Sequence, residues 1–247
     1  MGHPATVFLR TETGHLRPAP MKWRSLEESA TGSEVRPLRE ILAERKELIA
    51  KYVPVATLEV HARVVADLKA RGVAAASLPA GAKAPEFSLP DHNGNAISSV
   101  ELLARGRLVI CFIRGRWDPF CCGQMEAMNR VLPEIESAGA SLVAISPQTV
   151  KQSFFMADQH KLRFPLLSDS GNQVARLFGL VYRVPDEQQA IYRRAFINLP
   201  LVNGDESWEL PIPATYAVDR DGTVLFASAN EDYTERAEPR EILRRLQ

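Results

Sequence analysis

Residues 108–121 read LVICFIRGRWDPFC, and this stretch decides the architecture. LVICFI is an unbroken apolar run, as expected of a strand covered on both faces. Asp118-Pro119 then opens a helix. A short acidic side chain accepts free backbone N–H groups at the N-cap, and proline suits the first helical position because its missing N–H costs nothing there. Counting on, Cys121 falls at the third helical position, inside the first turn. The partial positive charge of a helix N-terminus favours a thiolate. The top of a strand-to-helix turn is also where open α/β sheets place their ligands. The stretch therefore predicts a buried strand, a turn, and a helix with a reactive thiol at its tip, open to solvent.

Working outward, residues 119–137 carry a helical pattern with Met125, Met128, Val131, Leu132 and Ile135 inward. SLVAIS (141–146) is a second buried strand, a helix spans 148–160, and FPLLSD is a short strand. Val174–Leu177 form another short helix, TYAVDRDGTVLFA two strands about a turn at 219–222, and Glu241–Leu246 a closing helix. Upstream, Phe87–Leu89 and Ala96–Ser98 flank Asn93-Gly94, a hairpin signal. The order β-α-β-α-β-α-β-β-α implies an α/β fold with a central mixed sheet flanked by helices. Residues 182–213 interrupt it as an insertion, read as one helix over YRVPDEQQAIYRRAFINL and a loop over PLVNGDESWELPIP.

The main domain is thus residues 79–247, reached through the linker SLPAGAKAP. Residues 37–78 form an N-terminal helical extension. Leu38, Ile41, Leu42, Leu48, Ile49 and Tyr52 share one face, Pro54 breaks the helix, and Leu58, Val64, Val65 and Leu68 continue in a second one ending at Gly72. Two such helices are expected to cover the surface of the domain behind them. Residues 1–36 mix Pro, Gly, Arg, Glu and Thr without a period and read as a flexible tail.

Lys+Arg and Asp+Glu are both 30, so the formal net charge is zero. That argues against nucleic acid as a partner, since binding polyphosphate needs surplus positive charge. It also leaves homodimer formation unopposed by self-repulsion. No apolar run approaches the roughly 18 to 20 residues of a membrane span, and MGHPATVFLRTETGH carries no leader-like apolar segment, so no membrane partner and a cytoplasmic location are expected. Three cysteines, 111, 121 and 122, are too few for a disulfide scaffold. Cys111, inside an apolar strand, reads as an inert core residue. His3, His15, His61 and His92 are scattered, so no metal set or cofactor motif is expected. His160 reads as a helix C-terminal residue, Asp219-Arg220-Asp221-Gly222 as a turn, and Ser146-Pro147-Gln148 as a cap on the next helix, with a pocket-lining role as the alternative.

From about Gly81 onward the chain resembles a peroxiredoxin-like protein of the alkyl hydroperoxide reductase/thiol-specific antioxidant group, on the thioredoxin fold. The segments that carry the resemblance are GAKAPEFSLPDHNG, VICFIRGRWDPFC, LVAISPQT, FPLLSD, and PATYAVDRDG with NEDYTERAEP. The resemblance implies a thiol-dependent oxidoreductase that reduces hydroperoxides, with a thioredoxin-like or small-thiol reductant and no cofactor. Two alignments place Cys121 differently. Against the Pro-x-x-x-Thr-x-x-Cys stretch of ordinary peroxiredoxins, Cys121 takes the place of the peroxide-attacking cysteine and Asp118 that of the threonine. Against the Trp-Cys-x-x-Cys stretch of thioredoxins, Asp118 replaces the nucleophile and Cys121 is the second thiol. Where typical peroxiredoxins carry an active-site arginine, Pro213 stands, similar to the cis-proline that faces the cysteines in thioredoxin-type proteins.

The candidate catalytic set is Cys121, Asp118 and Arg116, with Trp117, Pro119, Phe120, Pro213 and Arg114 around the substrate pocket. A carboxylate about 5 Å from a thiolate costs about 3 kcal/mol at an effective dielectric near 20. The helix terminus returns roughly 0.3 to 2 kcal/mol. Arg114 and Arg116, or Arg193 and Arg194 from the insertion, are expected to offset the difference. Cys122 is too close along the chain to form an easy disulfide with Cys121, so a one-cysteine cycle fits. Two alternatives remain open: a catalytically silent thioredoxin-fold binding module, and a disulfide oxidoreductase whose first cysteine is replaced by Asp118.

Overall fold

The computed structural model describes residues 8–10, 16–18 and 36–247. The chain divides into two compact units, Met1–Val35 and Arg36–Gln247. In the first, Phe8–Arg10 (β1) pairs antiparallel with Leu16–Pro18 (β2). This departs from the aperiodic reading of the segment, since backbone pairing of three-residue strands needs no side-chain period. The remainder of the segment read as a flexible tail lies outside the described residues.

The second unit opens with helices α1 (Leu38–Tyr52) and α2 (Val55–Ala70), separated at Pro54. A hairpin of β3 (Ser88–Pro90) and β4 (Ala96–Ser98) follows, with Gly94 at φ +86° in its turn. Ser98 then caps a short helix, α3 (Ser99–Arg105), that was not anticipated from the sequence. Its signal was present, because Ser98 and Glu101 have the spacing of a capping box. The central strands and helices are β5 (Arg107–Phe112), α4 (Pro119–Ser137), β6 (Ala140–Ser146), α5 (Val150–Gln159), β7 (Leu166–Ser168) and α6 (Gln173–Leu177). Beyond the insertion come β10 (Ala214–Val218), β11 (Val224–Ala229) and α9 (Pro239–Arg245).

The main sheet runs β11-β10-β5-β6-β7. Strands β5, β6 and β7 are parallel, while β10 is antiparallel to both of its neighbours. Strand β5 is central, and its alternate side chains feed two cores, as the pleat requires. Leu108, Ile110 and Phe112 join Leu68, Phe178 and Tyr216 on one face. Val109, Cys111 and Ile113 join Met125, Met128, Ile135 and Ile242 on the other. The continuous apolar run thus reflects burial on both faces.

The insertion differs from the helix-plus-loop reading. It contains β8 (Val181–Arg183), α7 (Asp186–Arg194), a second short helix α8 (Leu199–Asn203) and β9 (Glu209–Pro211), with β8 and β9 paired antiparallel. Tyr182, Val184, Trp208 and Leu210 enter the same core as Phe112. The ladder joins strands from opposite ends of the insertion, which no local pattern announces.

Helices α1 and α2 lie against the domain. Leu38 and Leu42 cluster with Phe120 and Ala127 of α4, and Arg45, only 8% exposed, donates to the Pro119 carbonyl and pairs with Glu126 at 3.1 Å. The extension is therefore built onto the first turn of the helix that carries Cys121. No helix among the described residues is long and apolar enough to cross a membrane.

Candidate active site

Strand β5 hands over to α4 through a tight connection. The Ile113 N–H still bonds Ile145 in β6 (2.9 Å), after which the chain turns at Gly115, whose φ is +141°. A Cβ at Gly115 would lie 2.9 Å from the Trp117 indole nitrogen and 3.0 Å from Gln148 Oε1, so glycine is required there by both conformation and space. Gln148 Oε1 accepts the Arg116 N–H at 2.8 Å. Gln148 is thus neither helix cap nor pocket wall. Thr149 is the residue at the N-cap of α5, and Gln148 is a buried brace for the turn between β5 and α4.

Asp118 is the N-cap of α4, with Pro119 first in the helix. Its Oδ1 accepts the Phe120 N–H at 2.9 Å, and its Oδ2 accepts the thiol proton of Cys121 at 3.1 Å. Cys121 sits in the first turn as the spacing predicts, but its side chain has no exposed surface. The expectation of a thiol open to solvent is overturned. Strand β5, helix α4 and the segment after β11 close over the sulfur together.

Two donors face that sulfur: the Arg114 backbone N–H at 3.3 Å and the Arg236 guanidinium at 3.5 Å. Arg236 also lies 3.7 Å from Asp118 Oδ2, and the Arg114 guanidinium 3.6 Å from the same oxygen. Gln124 fixes Arg236, accepting from its Nε at 2.9 Å while donating to Thr215 Oγ1 at 3.2 Å. Burial pushes the Cys121 thiol up to about 11, and the Asp118 charge adds to this, while Arg236 and Arg114 oppose it. In this closed arrangement Cys121 is a protonated thiol bonded to a carboxylate.

The cation that reaches the sulfur was missed from sequence. Arg236 belongs to NEDYTERAEP, a segment that carries the family resemblance but whose charges lie more than a hundred residues from Cys121 along the chain. Arg116, expected to offset Asp118, instead places its guanidinium 5.8 Å over Phe155, and only its backbone serves the site. Arg193 lies 4.5 Å over the Trp208 ring, and Arg194 stands exposed at the end of α7. Neither contributes. Pro213 is not preceded by a cis bond, because the described residues contain none. It stands in the link between β9 and β10, its carbonyl accepting the Asn230 N–H at 3.2 Å.

Trp117, Pro119, Phe120 and Arg114, together with Asp118, line one cavity of about 450 Å³ whose far wall is α1 and α2. Pro213 lines a different, smaller cavity of about 170 Å³ with Thr215 and Arg236. Cys121 lies between these two spaces and lines neither. Cys111 is fully buried, its thiol pushed up to about 12 by burial. Cys122 donates to the Arg116 carbonyl at 3.3 Å and is likewise pushed up by burial and by neighbouring Cys121. His160 sits at the C-cap of α5 with Nδ1 2.8 Å from Glu126.

A mixed sheet with an antiparallel edge pair, helices on both faces and a cysteine at the tip of the helix after the central strand is the thioredoxin fold. The crystal structure of peroxidoxin BcpB from Mycobacterium tuberculosis superposes with a TM-score of 0.54 at 22% identity, covering 68% of this chain and 96% of that one. Residues 80–227 match the AhpC/TSA family profile, and the chain belongs to that family. A Mycobacterium tuberculosis (strain H37Rv) protein provisionally named a peroxiredoxin is 29% identical over 153 residues, 62% of this chain and 86% of its own length. Peroxiredoxin Bcp of Escherichia coli K12 is 31% identical over 103 residues, 42% of this chain and 65% of that protein. Family membership carries thiol peroxidase and antioxidant chemistry as the general class of activity.

Proposed function

We propose that the chain is a thiol peroxidase working through Cys121 alone, with an external thiol as reductant. The observation that carries this reading is the convergence on one sulfur of a helix tip, a backbone N–H, the Arg236 cation and a carboxylate able to take the thiol proton. Asp118 Oδ2 accepts the proton, and the thiolate left behind faces two donors that hold negative charge without rearrangement. The sulfur attacks one peroxide oxygen, the O–O bond breaks, and the departing alkoxide takes the proton back from Asp118 as an alcohol. Cys121 is left as a sulfenic acid. An external thiol displaces water from it to form a mixed disulfide, and a second thiol releases Cys121. Attack requires Asp118 or a neighbour to move aside, because the sulfur has no free surface in the closed arrangement.

Hydroperoxide consumption with dithiothreitol tests the assignment. Cys121→Ser is expected to abolish it, while Cys111→Ser and Cys122→Ser keep it. Turnover that survives Cys121→Ser refutes the proposal. The zero exposure of Cys121 favours a second reading, a catalytically silent thioredoxin-fold module. That reading requires the parent protein to consume no peroxide above the reductant background.

A further inference from the structure

The cavity between the helical extension and the tip of α4 has features that peroxide chemistry does not use. Its outer wall is apolar, formed by Ile49, Val53, Leu58 and Val65, and Trp117 and Phe120 continue that surface inward. Its inner end is Arg114, which is 2% exposed. One terminal nitrogen of Arg114 donates to the Tyr192 hydroxyl at 2.7 Å; among the described residues Nε and Nη1 make no hydrogen bond, Nε facing Asp118 Oδ2 at 3.6 Å. The guanidinium lies between the Trp117 and Tyr233 rings, at 4.6 and 4.1 Å. Buried donors left unmade are costly, and both unpartnered atoms are donors, so a complementary ligand must bring acceptors.

Charge narrows the choice. At the inner end the single carboxylate of Asp118 stands between Arg114 at 3.6 Å and Arg236, which lines the neighbouring cavity, at 3.7 Å, so this buried cluster carries one surplus positive charge. At the other side of the cavity Lys46 and Asp232 pair at 3.6 Å and cancel. The site complements one negative charge carrying an apolar tail, and the cavity falls in the range that holds small organic ligands.

We propose that this cavity binds an amphipathic monocarboxylate, its head on Nη1 of Arg114 and its tail along Ile49, Leu58 and Val65. Nη1 is closed to water, so the head reaches it as Trp117 and Tyr233 part around it. The wall contributed by residues 46–65 lies outside the family match at 80–227, so that side of the site belongs to this chain's N-terminal helical extension. It borders Asp118 and not Cys121, and binding needs no thiol.

Calorimetric titration of the full chain carrying Cys121→Ser, with octanoate and with 1-octanol, tests this. Octanoate is expected to bind at least about tenfold more tightly than 1-octanol, the difference one charge-assisted head contact provides. Arg114→Met should erase that preference, and Val65→Trp, which fills the cavity, should abolish binding of both. Equal affinities in the parent, or octanoate binding that survives Val65→Trp, would overturn the proposal. Should Arg114→Met fail to fold, the comparison of the two ligands and Val65→Trp still decide. Because the reactive thiol is removed throughout, failure here leaves the peroxidase proposal standing, and failure of that proposal leaves this one untouched.

Discussion

At Cys121 two opposing influences act on one proton. Burial and the Asp118 carboxylate hold it on the sulfur, and Arg236 and Arg114 draw it off, with a resulting pKa of about 11. Below that value the thiolate fraction grows tenfold for each pH unit. Alkylation of Cys121 by iodoacetamide is therefore expected to rise about tenfold per unit between roughly pH 7 and 10. Asp118→Asn removes the carboxylate charge and should move the midpoint down by at least about one unit. A flat profile in the parent, or an unmoved midpoint in Asp118→Asn, contradicts this account of the site. Arg236→Met should act in the opposite sense, raising the midpoint and slowing peroxide turnover by roughly ten- to a hundredfold. Steady-state rates of that variant at saturating dithiothreitol check the second effect.

At the level of elements, the decisive contact is between α1 and the first turns of α4. Gly123 lies inside α4, where replacing glycine by alanine ordinarily stabilises a helix by about 1 kcal/mol. Here an added Cβ would stand 2.6 Å from Arg45 Nη1 and 3.1 Å from Leu42 Cδ2. Gly123→Ala is therefore expected to destabilise by about 1 to 3 kcal/mol, the usual cost of overpacking. Arg45→Met should also destabilise, by about 1 to 3 kcal/mol, because it leaves the Pro119 carbonyl and Glu126 short of a donor. The double variant should lose less than the sum of the two, since the clash disappears with the guanidinium. Urea unfolding of the three proteins measures the coupling, and strict additivity would show that α1 does not rest on Gly123.

For the whole molecule, the joint between extension and domain carries a pH dependence. His61 on α2 lies in the cavity wall and hydrogen-bonds Gln188 at 2.8 Å. Burial, with Arg114 close by, lowers its pKa from 6.5 to about 4. A histidine whose folded pKa is depressed adds stability above its unfolded value, and that stability fades as pH falls through the folded one. The urea midpoint should decline between about pH 6.5 and 4, and His61→Gln should flatten that window. An unchanged slope in His61→Gln would mean that another group sets it.

Much of this molecule was legible in its sequence. The apolar run at 108–113, the Asp-Pro start of α4 and the alternation of strands with helices depend on interactions within a few residues, so local patterns report them. They placed Cys121 at a helix tip on the central strand and marked the two covering helices. The insertion was half legible: its first helix shows a period, while the β8–β9 pair joins backbones from opposite ends of the segment.

What the sequence determined was the position of the thiol along its helix and the class of fold that holds it. What only the tertiary structure decided was the thiol's surroundings: Arg236 rather than Arg116 as its cation, zero exposure, and a cavity walled by a helical extension. These depend on residues as far apart as 121 and 236 meeting in space. Charge and solvation at a sulfur are set by whatever lies within a few ångströms, however distant along the chain.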